Sequence, residues 1–126
     1  MLRGKIAFQH IYENGTVFSN PVFVLRFMVI PRPANESEFF KVAFSVSKRS
    51  GNAVFRNSVK RRMREIFRLN QGLISFSIKD DQQLTLAFYF RKRKSSGLRY
   101  QILEQAMVDL IRQLNKVHEN NPDRLD

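Results

Sequence analysis

Between Lys48 and Arg68 stand eight cations, Lys48, Arg49, Arg56, Lys60, Arg61, Arg62, Arg64 and Arg68, against one carboxylate, Glu65. A second run, Arg91-Lys92-Arg93-Lys94, adds four more. Together the two segments equal the whole formal net charge of +11, so the rest of the chain balances its basic and acidic groups. Like charges one helical turn apart repel, and at this density they call for an external anion, for which a row of phosphates is the natural source. On charge alone a nucleic acid is the first reading, with an anionic membrane surface or an acidic protein tail as rivals.

Groups for covalent or acid–base catalysis are scarce. The histidines are His10 and His118, neither H-E-x-x-H nor G-x-S-x-G occurs, and Asp80-Asp81 falls in an expected loop. The absence of cysteine excludes disulfides, thiolate zinc sites and iron–sulfur clusters. The spacing supplies no self-sufficient catalytic set.

The elements that must position the cations follow from periodicity. With 126 residues, 43% of them hydrophobic, and twelve Phe, the chain can fill one core, read as a single domain over 1–119 with 120–126 as a tail. No apolar run approaches the ~20 residues that span a bilayer, and Met1-Leu2-Arg3-Gly4-Lys5 leads into no signal region, so a soluble cytoplasmic protein is expected. Ala7, Phe8, Ile11 and Tyr12 predict a helix over 2–14, closed at Asn14-Gly15. Phe23, Leu25, Phe27 and Val29 alternate as a strand that ends at Pro31-Arg32-Pro33. Phe40, Val42, Phe44 and Val46 form a second, and the short connection predicts an antiparallel hairpin. After Ser50-Gly51-Asn52, a helix over 53–69 gathers Phe55, Val59, Met63, Ile66 and Leu69 on one arc and Asn57, Lys60, Arg61, Arg64 and Arg68 on the other, with Arg62 at the edge of the apolar arc. Leu84, Leu86, Phe88 and Phe90 mark another strand. Ser95 or Ser96 caps a last helix whose stripe is Leu103, Ala106, Leu110, Leu114 and Val117. The order α-β-β-α-β-α, with room for a short extra strand near Val17, describes an α+β two-layer sandwich.

The segment from Phe44 to Glu65 resembles the protein subunit of bacterial ribonuclease P. That family's hallmark runs roughly G-x-S-V-S-K-K, then G-x-A-V-x-R-N-R-x-K-R-x-x-R-E. This chain supplies Ser45-Val46-Ser47-Lys48-Arg49, Gly51-Asn52-Ala53-Val54, Arg56-Asn57, Lys60-Arg61 and Arg64-Glu65 without a gap. Phe8 to Gly15 is similar to the family's F-x-x-[VF]-[FY]-x-x-G first helix. Four positions depart: Ser58 replaces the last arginine of R-N-R, Arg62 stands where an apolar residue is usual, Phe44 with Ala43 replaces the usual glycine, and Arg26 stands where relatives often carry an aromatic residue.

The resemblance implies a basic subunit that assembles with a large catalytic RNA and helps remove the 5′ leader of precursor tRNA. It implies a mixed sheet with a left-handed β-α-β crossover, against the ~98% right-handed rule. Hydrolysis and its Mg2+ would belong to the RNA, with no cofactor on the polypeptide, no small-molecule substrate and no membrane. The expected RNA-binding residues are Lys48, Arg49, Asn52, Arg56, Asn57, Lys60, Arg61, Arg64 and Arg68. A leader-binding cleft between the first helix and the sheet would use Phe8, Tyr12, Val24 and Arg26. The strand pattern supports such a cleft independently, since Val24, Arg26, Ala43 and Ser45 lie on rows opposite the large apolar set. Two rival classes remain at this point: a general RNA-binding or ribosomal protein of the same fold, and a protein-only nuclease.

Overall fold

The computed structural model describes residues 5–92 and 99–120, the side chains of 5–8 and 118–120 excepted. In chain order the elements are α1 (Lys5–Asn14), β1 (Thr16–Ser19), β2 (Phe23–Pro31), β3 (Phe40–Val46), α2 (Ala53–Asn70), β4 (Gln82–Phe90) and α3 (Tyr100–Asn120). The short strand at Val17 is therefore formed, and the order is α-β-β-β-α-β-α. The expected caps Ser95 and Ser96 lie outside the described residues, as do residues 121–126 of the expected tail.

The strands lie in the order β1-β2-β4-β3. β2 is antiparallel to β1 and β4, while β3 is parallel to β4 and forms the edge. The expected β2–β3 hairpin is thus corrected: β4 lies between the two strands. β4 is buried on both faces from Gln83 to Leu86, and a strand of that kind belongs in the interior of a sheet. The connection over 32–39 is long enough to pass it. Eight residues reach up to about 26 Å, against about 10 Å for two strand spacings. Leu84 N then donates to Phe39 O at 2.9 Å, seating the start of β3 on β4.

One face of the sheet is the core. Phe23, Leu25 and Phe27 of β2 sit opposite Phe90, Phe88 and Leu86 of β4, which in turn neighbour Val46, Phe44 and Val42 of β3. α2 and α3 cover this face, α3 with Leu103, Met107, Leu110, Ile111 and Leu114. Phe67 of α2 meets the rings of Phe40, Phe44 and Phe88 at centroid separations of 6.2, 5.8 and 6.0 Å. The buried arc of α2 is therefore turned from the one expected: Phe67 is inside and Leu69 is 56% exposed. The phenylalanines of the edge strand attract the helix toward β3. Arg62, expected at the margin of the apolar arc, is exposed.

α1 lies on the opposite face, where Ile11 is buried outside the main core. Gly15 closes the helix by donating to Ile11 O at 2.7 Å, and a Cβ there would come within 2.5 Å of that oxygen. The β1–β2 turn is tied down by Asn20. Its Oδ1 accepts from Val22 N and Phe23 N, and its Nδ2 donates to Ala106 O of α3 at 2.9 Å.

Candidate nucleic-acid interface

Parallel pairing decides where the cations go. Val46 is in register with Phe90, and Ser47 N donates to Phe90 O at 2.9 Å, so β3 and β4 leave the sheet side by side. Lys48-Arg49 and Arg91-Lys92 consequently emerge at the same end of the sheet. The two cationic segments, far apart in sequence, converge there; Arg93 and Lys94 lie outside the described residues. Ser47 Oγ accepts from Arg49 N at 3.2 Å and fixes a single 3-10 turn over Lys48–Ser50. Asn52 Oδ1 accepts from Phe55 N at 2.9 Å, capping α2. Gly51 is required between these caps because a Cβ there would come within 2.9 Å of the Phe55 ring.

Along α2 the cations either border the core contact or face away from it. Arg56 and Lys60 stand eleven and seven residues before Phe67, on the same helical row, and are half-buried. Asn57, Arg61 and Arg64 are exposed. Among the described residues, no acid of this chain lies within ion-pair distance of Arg56, Lys60, Arg61, Arg62 or Arg64; the ion pairs found join Lys41 to Glu36 and Arg68 to Glu65. Arg68 thus differs from its neighbours. Its Nη2 and Nε donate to Glu65 at 2.8 and 3.3 Å, and this hydrogen-bonded pairing lowers the Glu65 carboxyl pKa and raises that of Arg68.

On the other face of the sheet, Ile11, Tyr12, Arg26, Ser45, Ala87 and Tyr89 line a cleft of about 80 Å³. The Arg26 guanidinium carbon lies 4.2 Å from the centroid of the Tyr12 ring, and Tyr12 is 68% exposed. Of the residues expected here, Tyr12 and Arg26 are brought together. Val24 shares the face but stands opposite Tyr89, outside the cleft wall. Phe8 is one turn before Tyr12 on α1, and its side chain lies outside the described residues. Tyr89 and Ala87 were not anticipated. The alternation of β4 already sets both opposite Phe88 and Phe90, but only the interior position of β4 puts them between Arg26 and Ser45.

Fold and surface together define a small α+β protein with a cationic strand–turn–helix on one side and an aromatic cleft beside its first helix. The model of the family Ribonuclease P matches residues 1–115. A ribonuclease P protein component of Alkaliphilus metalliredigens is 30% identical over 110 residues, covering 87% of this chain and 88% of that protein. One from Clostridium novyi is 31% identical over 111 residues, 88% and 89% of the two chains. The solved RNase P protein of Staphylococcus aureus superposes with a TM-score of 0.67 at 22% identity, over 88% of this chain and 91% of that one. That of Thermotoga maritima gives 0.67 at 24% identity, over 89% and 94%. The chain belongs to the ribonuclease P protein family. Among the described residues no helix is long and apolar enough to cross a membrane.

Proposed function

We propose that this chain is the RNA-binding subunit of ribonuclease P. It assembles with the catalytic RNA, holds the 5′ leader of precursor tRNA, and promotes the endonucleolytic cut that matures the tRNA 5′ end in the cytoplasm. The observation that carries this reading is that Lys48-Arg49 and Arg91-Lys92 emerge at one end of the sheet, with Lys48-Arg49 leading into α2, whose cations from Arg56 to Arg64 have no ion-pair partner among the described residues. Lys48, Arg49, Arg56, Lys60, Arg61 and Arg64 take phosphates, and Asn52 and Asn57 add neutral donors or acceptors. Arg62, exposed and one turn beyond Ser58, presents a guanidinium beside the position where the family pattern loses one. In the cleft, aromatic faces stack bases with little sequence preference, which suits leaders of varied sequence.

The polypeptide is given no hydrolytic step. Among the described residues no three His, Asp or Glu side chains come together as metal ligands; this reading assigns the Mg2+ of the reaction to the RNA. His10 is exposed, and its ring faces Asn14 Nδ2 at 3.4 Å on the same helix.

The test is reconstitution. Lys60→Ala combined with Arg64→Ala should weaken precursor tRNA binding by the holoenzyme and flatten the dependence of log affinity on log salt by about one to two, at about 0.7–0.9 per phosphate contact. Unchanged affinity and slope would overturn the assignment. Omitting the catalytic RNA separates the rivals. A protein-only nuclease still cuts, and a general RNA-binding protein binds yet never stimulates cleavage.

A further inference from the structure

We infer that Arg26 makes the cleft selective for a guanine base, a specificity that rests on the reading of the cleft as the seat of the single-stranded leader. The guanidinium carbon lies over the Tyr12 ring, 4.2 Å from its centroid, a cation–π contact that uses the ring face and none of the five N–H donors. Beyond that ring, no partner for Arg26 is found among the described residues. Arg26 is half-buried, and a guanidinium carries five donors and no acceptor, so whatever enters the cleft must bring acceptors in pairs.

Two groups in RNA match that fork: a phosphate, and the O6/N7 edge of guanine. The surroundings favour the base. Among the described residues Arg26 is the one cation lining the cleft, whereas the cations of α2 are clustered as a row of phosphates would need. Directly across the sheet from Arg26 is Ala87, a cleft residue whose methyl group leaves room beside the guanidinium. On the next row Tyr89 and Ser45 bring hydroxyls to the same wall, where they can accept from the N1–H that adjoins O6. The enclosed space, about 80 Å³, holds one edge of a base, and the exposed Tyr12 leaves the rest of the ring on the open side. Adenine and cytosine each put an amino donor on the corresponding edge, against the guanidinium, and uracil offers a single acceptor there.

The experiment uses the reconstituted holoenzyme and precursor tRNAs carrying each of the four bases, one leader position at a time. One position should bind guanine about fivefold or more tighter than the other bases, and 7-deazaguanine, which lacks the N7 acceptor, should lose that advantage there. Arg26→Phe keeps a stacking face and Arg26→Lys keeps the charge without the fork. Both should flatten the preference, with thermal melts confirming that each is folded. The inference is overturned if no position prefers guanine, or if the preference survives Arg26→Phe. It is equally overturned if Arg26→Phe weakens all four bases alike and lowers the salt slope by about one while Arg26→Lys restores both, the signature of a phosphate contact. Failure of the cleft reading itself looks different: removing the leader altogether then leaves affinity unchanged.

Discussion

Glu65 is the one acid within the cationic helix, and its pairing with Arg68 at i,i+3 sets that arginine apart from its neighbours. The Arg68 guanidinium holds the Glu65 carboxyl below its ordinary value, so whatever the pair contributes is present above the ordinary carboxylate pKa and is lost as pH falls through the lowered one. Both groups are solvent-exposed and the contribution is small. Glu65→Gln should therefore leave the melting temperature nearly unchanged at pH 7, and wild type and variant should converge in acid. Its larger effect should be on RNA, because a released Arg68 adds up to about one phosphate contact to the salt slope of the holoenzyme for precursor tRNA. A slope identical to wild type would mean that Arg68 faces away from the RNA. Individual residue types were the most legible part of the chain: the spacing of Asn57, Lys60, Arg61, Arg64 and Arg68 put them on one helical side before any contact was known. Tyr89 was equally visible in the alternation of β4, yet its membership of the cleft depends on which strands flank it.

Periodicity says which residues share a face and leaves open how far that face is turned toward its neighbour. α2 shows the difference, since its apolar positions at 55, 59, 63, 66 and 69 suggest an arc centred away from Phe67, and the phenylalanines of β3 rotate the contact until Phe67 is enclosed. Stability should follow the observed arc. Phe67→Ala should cost about 3–5 kcal/mol, the usual range for a buried aromatic truncated in a packed core, whereas Leu69→Ala, at a mostly exposed position, should stay within about 0.5 kcal/mol. Chemical denaturation of both variants decides the point, and equal losses would return the helix to the expected phase. The cap is a cleaner element to read from sequence, because Asn followed by a helical period has one common use. Asn52→Ala removes the acceptor for Phe55 N and should cost about 1 kcal/mol. The failed hairpin has the same root as the rotated arc: alternation identifies a strand but not its neighbours, and an eight-residue connection leaves room for β4 to enter between β2 and β3.

Long-range pairing gathers the charge. β3 and β4 are parallel with α2 between them in sequence, so the end of one strand and the end of the other meet only after the crossover is complete, and the cations following each arrive together. Each segment alone reads as a solvated basic run. Side by side they repel, and a polyanion spanning both removes more of that repulsion than one meeting either alone. Substituting Arg91→Ala with Lys92→Ala should therefore behave like a lesion in α2 despite its distance along the chain, lowering precursor tRNA affinity and flattening the salt dependence by about one to two. Stability should change little, because the strand ends on backbone bonds, Arg91 N to Val22 O at 3.1 Å and Ser47 N to Phe90 O at 2.9 Å, which alanine retains. Combined with Lys60→Ala and Arg64→Ala, the losses in slope should add, since each released counterion reports its own phosphate. If the Arg91–Lys92 variant instead binds RNA with the wild-type slope, those cations only keep the chain soluble, and the interface ends at the turn before α2.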